Sequence, residues 1–312
     1  MGMGRLVPIG AAGEPARAAV VAEAPKAKAG KPEEIYRAWL ELAEQRIAAE
    51  QTKGAVAALE EAFEEAPRNA EVRKLLFRLY RGAKAWEKLA DALSKAVVAV
   101  ADDTAVVKYA REAAVIYRER LGTPERAVAA LDRAVAAEPE DRELRSMLAE
   151  GLYAAGRHDE ARELLEKLIA GFGRRRSPER AQAHLWLARV LHAQESEEAI
   201  DQLETASRMD PSNATILMTL ADLARHSGQL DRAERAYRTL LMTVRRASEP
   251  ETLPIGPTEV LMELSLLAKA RGDDNKAGEL VESVLESLTQ NDDEGPQIQE
   301  RLRAKNELEL LR

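Results

Sequence analysis

The chain has 312 residues, enough for two ordinary domains or one extended repeat array, and 46% of them are hydrophobic. It contains no cysteine, which excludes disulfides, catalytic thiolates and cysteine–zinc sites. Its formal net charge of −8 disfavours a general nucleic-acid binder, because neutralising phosphates requires a basic surface.

The composition favours an all-α fold. Aromatic residues make up only 4% of the chain, while the strong helix formers alanine, leucine, glutamate and arginine dominate. Valine and isoleucine never alternate with polar residues over the length of a strand. No run approaches the roughly 18 apolar residues of a membrane span, and the N-terminus lacks the uninterrupted apolar segment of a signal peptide. We therefore expect a cytoplasmic helical protein without a membrane span.

Four segments follow one another along the chain. Residues 1–33 are rich in alanine, proline, glycine and lysine without helical periodicity, which predicts a disordered N-terminal segment. Residues 34–288 carry a repeated helical pattern. Residues 289–297 form an acidic linker, and residues 298–312 are predicted to form a polar helix that caps the open end of the array.

Four glycines each precede an amphipathic helix. The residue five positions after each glycine is alanine, and the residues at positions nine and twelve are apolar or aromatic. These positions share one helix face, so the pattern predicts a turn followed by a helix. Asp231 and Glu234 have the spacing of a capping box. The four glycines are Gly122, Gly156, Gly228 and Gly272.

The stretch His158–Glu160 could form either an acid–base site or a turn. It follows Gly156 at the position where the other units begin their second helix. Acidic residues in a first helical turn oppose the positive end of the helix. We therefore interpret the stretch as an inter-helix turn and cap.

Prolines mark a longer period. Pro67, Pro139 and Pro211 lie 72 residues apart, and each is followed two residues later by asparagine or aspartate. A proline at the end of one helix and a capping residue at the start of the next mark a helix boundary. The spacing predicts seven units, and these begin near residues 36, 70, 108, 142, 180, 214 and 258.

The first unit resembles the tetratricopeptide repeat, whose pattern is W-x₂-L-G-x₂-Y…A-x₃-F…P. Ala43, Arg46 and Leu59 stand where the pattern has glycine, tyrosine and the second aromatic residue. The resemblance implies a right-handed superhelical solenoid of about seven helix–turn–helix repeats, similar to alanine- and arginine-rich bacterial arrays. The matching residues are Trp39, Leu42, Ala55, Ala62 and Pro67.

The sequence does not indicate an enzyme. His184 and His192 are eight residues apart, about 80° around a helix, so they do not converge on a metal. No glycine-rich phosphate loop, GxSxG elbow or HExxH motif occurs. We predict no catalytic residue, metal site or cofactor. The four histidines, on separate units or at helix ends, are His158, His184, His192 and His226.

The tetratricopeptide resemblance implies a protein-interaction module in which an extended peptide or partner helix lies in a concave groove. Arginines there suggest an acidic or C-terminal carboxylate partner. The alternative is that they form exposed helix ion pairs. The implied groove residues are Lys74, Arg78, Arg81, Ser146, Glu150, Tyr153, Arg189, His192, Met218, Asp222 and Arg225.

Two hypotheses about the function stay open. The first is an adaptor or assembly scaffold, and the second is a regulatory or structural repeat segment of a larger multiprotein machine or enzyme complex. A homo-oligomer fits either hypothesis. The stretch Arg174–Arg176 is interpreted as a solvated helix end rather than a phosphate-binding patch. Arg245–Val260 is predicted to be an exposed loop, which can carry binding residues.

Overall fold

The computed structural model describes residues 32–174, 176–248 and 252–290. All regular structure in these residues is helical, which confirms the predicted all-α class. The chain divides into two compact units, an N-terminal unit that ends at Gly122 and a C-terminal unit that starts at Thr123.

In the N-terminal unit each helix packs on the next one along the chain. A π-helical turn at Tyr117–Leu121 ends the unit. Its helices are α1 (Pro32–Ala48), α2 (Thr52–Glu65), α3 (Ala70–Gly82), α4 (Trp86–Ala99) and α5 (Asp103–Ile116).

The C-terminal unit opens with a 3₁₀ turn at Pro124–Ala127, and its helices again pack mainly on their neighbours in sequence. Its helices are α6 (Val128–Ala137), α7 (Arg142–Ala154), α8 (His158–Gly171), α9 (Pro178–Ala193), α10 (Glu198–Met209), α11 (Ala214–His226), α12 (Leu230–Arg246), α13 (Pro257–Ala270) and α14 (Asp274–Gln290).

The helix starts can be compared with the periodicity, and α5 begins at Asp103 rather than near residue 108. α3 begins at residue 70, α7 at 142 and α11 at 214. α1 begins at Pro32, so residues 32 and 33 belong to this helix rather than to the segment before it. Residues 1–31 and 291–312, which include the predicted capping helix 298–312, lie outside the described residues.

Side-chain caps explain why these three helices start where they do. Asn69 accepts hydrogen bonds from the backbone N–H groups of Glu71 and Val72. Asp141 accepts one at the start of α7, and Asn213 accepts one at the start of α11. Each cap satisfies a backbone donor that the helix leaves unpaired, which is why the proline-plus-two position fixes the boundary.

The glycine turns have the backbone conformation that glycine favours. Gly156 has φ +72°, Gly228 has φ +71° and Gly272 has φ +79°, all in the left-handed region. The predicted capping box of Asp231 and Glu234 is wrong. Gln229 precedes α12 and makes no side-chain cap, while the two carboxylates pair with Arg271 instead.

The core is built from small and branched residues on one face of each helix. The alanines five positions after the repeat glycines are buried, and Ala161 and Ala233 are fully so. Leu165 and Tyr237, nine positions after their glycines, are also fully buried. Alanine at the first of these positions lets neighbouring helices approach closely.

Candidate functional site

In the N-terminal unit the implied groove residues lie on α3. Lys74 and Arg78 are exposed, but the Arg81 guanidinium donates two hydrogen bonds to Glu112 of α5. The two N···O distances are 2.7 and 2.8 Å. A guanidinium already paired in this way is not free to bind a partner's carboxylate.

In the C-terminal unit four of the implied residues line one surface cavity of about 410 Å³, which we call the α9–α11 cavity. Arg189 and His192 come from α9, and Met218 and Asp222 come from α11. The remaining lining residues are Ala188, Leu203, Thr215, Thr219, Leu223, His226 and Pro254.

Local sequence explains how these side chains meet. Ser177 caps α9, Pro178 occupies the first helical position, and the Asn213 cap starts α11. Steps of three and four residues then place Arg189 with His192, and Met218 with Asp222, on one face of each helix. Pro254 adds part of the loop before α13 to the cavity wall.

Trp186, which the sequence analysis did not include, contacts the cavity residue Arg189. The Arg189 guanidinium lies 4.6 Å from the centroid of the Trp186 ring. Tyr153 of α7 contacts the same indole at 5.7 Å between centroids, and it also contacts His158. The sequence signal was available, because Trp186 lies three residues before Arg189 on the same helix face.

Asp222 and Arg225 belong to a partly buried polar network. The buried Tyr237 hydroxyl donates a 2.6 Å hydrogen bond to Asp222. Arg225 Nε lies 3.8 Å from a carboxylate oxygen of Glu263 on α13. Burial raises the pKa of Tyr237 above its ordinary value, and the hydrogen bond to Asp222 raises it further. This network directs Arg225 toward other helices of the unit.

The remaining implied residues, Ser146 and Glu150, lie half-buried on α7. They precede Tyr153 on the same helix face, at steps of four and three residues. They are not among the residues that line the α9–α11 cavity.

The stretch His158–Glu160 forms the first turn of α8, and its three side chains have different partners. His158 contacts Tyr153, and Asp159 accepts a 2.8 Å hydrogen bond from Gln194. The Glu160 carboxylate pairs with Arg157, which lowers its pKa. The interpretation as an inter-helix turn and cap is therefore wrong in position: the turn precedes these residues, and α8 starts without a side-chain cap.

The two histidines of α9 lie in different environments. His184 is buried, with Nδ1 2.7 Å from Gln202 Oε1, whereas His192 is exposed at the cavity. Among the described residues no three His, Cys, Asp or Glu side chains gather into a metal-binding group. In the same residues no helix combines the length and apolar character needed to cross a bilayer.

Family models identify the repeats. One model described as "Tetratricopeptide repeat" matches residues 120–172 and 191–251, and a second with the same description matches residues 147–198. Residues 120–251 of the chain therefore contain tetratricopeptide repeats. The matched residues include α6 to α12, so the α9–α11 cavity lies largely within recognised tetratricopeptide repeats. Such repeats make the chain a protein-interaction module.

Two solved structures match the chain at low sequence identity. PilF of Pseudomonas aeruginosa is 16% identical, covers 87% of this chain and 100% of its own, and has a TM-score of 0.41. A tetratricopeptide repeat protein from Parabacteroides merdae is 15% identical, covers 82% of this chain and 93% of its own, and has a TM-score of 0.44. A search of curated proteins finds no match.

Proposed function

We propose that the chain is a non-enzymatic adaptor or assembly scaffold that binds a peptide or partner helix at the α9–α11 cavity. One observation carries the proposal: Arg189, His192, Met218 and Asp222 of two successive first helices line the same cavity. A concave site with apolar walls and a few polar groups is the usual form of a ligand site.

The charges of the cavity favour an acidic ligand. Arg189 stacks on Trp186, and among the described residues no carboxylate pairs with it. Stacking holds the guanidinium plane in place while leaving its N–H groups able to bind a carboxylate. Asp222, the cavity's own carboxylate, already accepts the Tyr237 hydroxyl. A carboxylate on the ligand therefore meets an unpaired cation.

The walls favour an apolar side chain beside that carboxylate. Met218 and Leu223 contribute apolar surface, and methionine adapts its shape to different neighbours. The cavity volume of about 410 Å³ suits one or two side chains of a peptide or partner helix. The ligand that fits is a peptide segment with an acidic residue next to an apolar one.

A peptide library displayed on phage tests this proposal. We expect selection on the wild-type protein to enrich peptides with adjacent acidic and apolar residues. Arg189→Glu should weaken their binding about ten-fold or more, because a charge-assisted hydrogen bond is lost and a repulsion is added. Affinity is measured by fluorescence anisotropy with synthetic copies of the selected peptides.

The matched control is Arg162→Glu, the same charge change on the exposed face of α8. It should leave peptide affinity unchanged. Peptides that bind wild type and Arg189→Glu equally well, or a selection that enriches no sequence, would contradict binding at the cavity.

A further inference from the structure

A second surface lies on α12, away from the cavity lining. Arg235, Arg238, Met242 and Arg245 are all exposed, and steps of three, four and three residues place them along one face of the helix. We call this face the α12 stripe; it extends about 15 Å along the helix axis. Met242 is 53% exposed and is one of few large hydrophobic side chains on the described surface.

The stripe carries positive charge that its own neighbours do not neutralise. The cations of Arg238, Arg271 and Lys276 share the Glu234 carboxylate, and Arg271 also pairs with Asp231. Three cations against two carboxylates leave an excess of one positive charge. Arg235 adds another, because among the described residues no carboxylate pairs with it. This excess occurs on a protein whose formal net charge is −8.

The stripe combines two kinds of contact in one line. Its arginines attract carboxylates, and the Met242 side chain between Arg238 and Arg245 gains from being covered by apolar surface. A helix with acidic residues at steps of three and four and one apolar residue among them matches this arrangement. We infer that the α12 stripe binds an acidic amphipathic helix of a protein partner.

A nucleic acid fits the same surface less well. No aromatic side chain is part of the stripe to stack on a base, and a phosphate backbone gains nothing from covering Met242. The inference does not rest on the α9–α11 cavity, whose lining includes none of these residues.

A synthetic helical peptide of about 20 residues, with glutamates and one leucine in a single stripe, tests the inference on the full chain. The comparison peptide has the same composition with these residues spread over all faces of its helix. We expect the striped peptide to bind at least about ten-fold more tightly at about 150 mM salt, measured by fluorescence anisotropy.

Variants then locate the binding. Arg235→Glu/Arg238→Glu should weaken the striped peptide about ten-fold or more, and Met242→Gln about three- to ten-fold. The control Arg162→Glu/Lys167→Glu makes the same charge change on exposed residues of α8 and should not alter affinity. Circular dichroism of each variant checks that helix content is retained.

Three outcomes would overturn the inference. Equal affinity for both peptides would mean that the surface responds to net charge alone, and no binding would mean that the stripe is an ordinary solvated face. Tighter binding of duplex DNA or of phosphatidylserine vesicles than of the striped peptide, lost in Arg235→Glu/Arg238→Glu, would identify a phosphate-binding surface instead.

Discussion

His184 is a polar residue inside the core, and its environment predicts a pH dependence of stability. Only 6% of the residue is exposed, and Nδ1 lies 2.7 Å from Gln202 Oε1. Burial lowers the pKa of His184 below its ordinary 6.5, and the charge of Arg180 lowers it further, although the hydrogen bond with Gln202 opposes the shift. As the pH falls below about 6.5, His184 therefore takes up a proton in the unfolded chain more readily than in the folded chain. The stability that this neutral imidazole contributes is complete above about pH 6.5 and is lost as the pH falls below it.

We expect the melting temperature of the wild type to fall more between about pH 7.5 and pH 5.5 than that of His184→Gln, which retains a hydrogen-bonding side chain without titrating. Thermal melts followed by circular dichroism in the same buffers measure both. All other ionisable groups are the same in the two proteins, so their effects on the melting temperature cancel in the comparison. The same fall in both proteins would show that His184 stays neutral, or is equally protonated, in the folded and unfolded states.

Some turns between helices can be predicted from a single glycine, and others cannot be predicted from any single residue. Gly156 predicts a turn because glycine adopts positive φ without steric cost. Glu50, Lys84 and Glu195 adopt the same left-handed conformation, with φ between 53° and 58°, at a cost of about 1 kcal/mol each. No residue pattern predicts a turn of this type without glycine, because the helices packed on either side hold it in place.

At the level of the element, the tightness of helix packing is testable at Ala161. This residue is fully buried on α8, and its methyl group is all that the neighbouring helix accommodates. Ala161→Leu should destabilise the protein by about 1–3 kcal/mol, because the larger side chain forces its neighbours apart. Urea denaturation followed by circular dichroism measures the change.

Ala170→Leu is the control, since Ala170 is exposed on the same helix. This change should alter stability by less than about 0.5 kcal/mol. Ala161→Leu with an unchanged urea midpoint would mean that α8 does not pack through this face as the structure shows.

Contacts between different helices also limit how much of the candidate site the sequence predicts. Helical spacing groups Arg189 with His192 and Met218 with Asp222, because both members of each pair lie on one helix. It does not reveal that Arg81 pairs with Glu112, 31 residues away on another helix. Contacts between helices depend on packing distances that the residue pattern does not contain.

At the scale of the whole molecule, periodicity predicts the order of the helices over the described residues because the contacts are local. Within each of the two units a helix packs chiefly on its neighbours in sequence, so a pattern that repeats along the chain repeats in the packing of that unit. The interruption of the third repeat, a π-helical turn at Tyr117–Leu121 and then a 3₁₀ turn at Pro124–Ala127, was not predicted. Only small changes in hydrogen bonding separate these turns from an α-helix.

Local contacts also predict how a core defect spreads through the C-terminal unit. Leu203 of α10 is fully buried, and α10 packs on α9 and α11. Leu203→Ala should destabilise this region by about 2–5 kcal/mol through the cavity that it leaves. Hydrogen exchange measured by mass spectrometry should show lost protection in α9 to α11, with α14 close to wild type.

Arg208→Ala, an exposed change on the same helix, serves as the control and should leave the exchange pattern as in the wild type. Equal loss of protection from α7 to α14 in Leu203→Ala would mean that the C-terminal unit opens as one cooperative body. In that case a ligand at the α9–α11 cavity would stabilise α12 as much as α11, because any ligand that binds the folded state alone stabilises every segment that unfolds with its site. With local opening, the cavity and the α12 stripe would instead gain or lose stability separately.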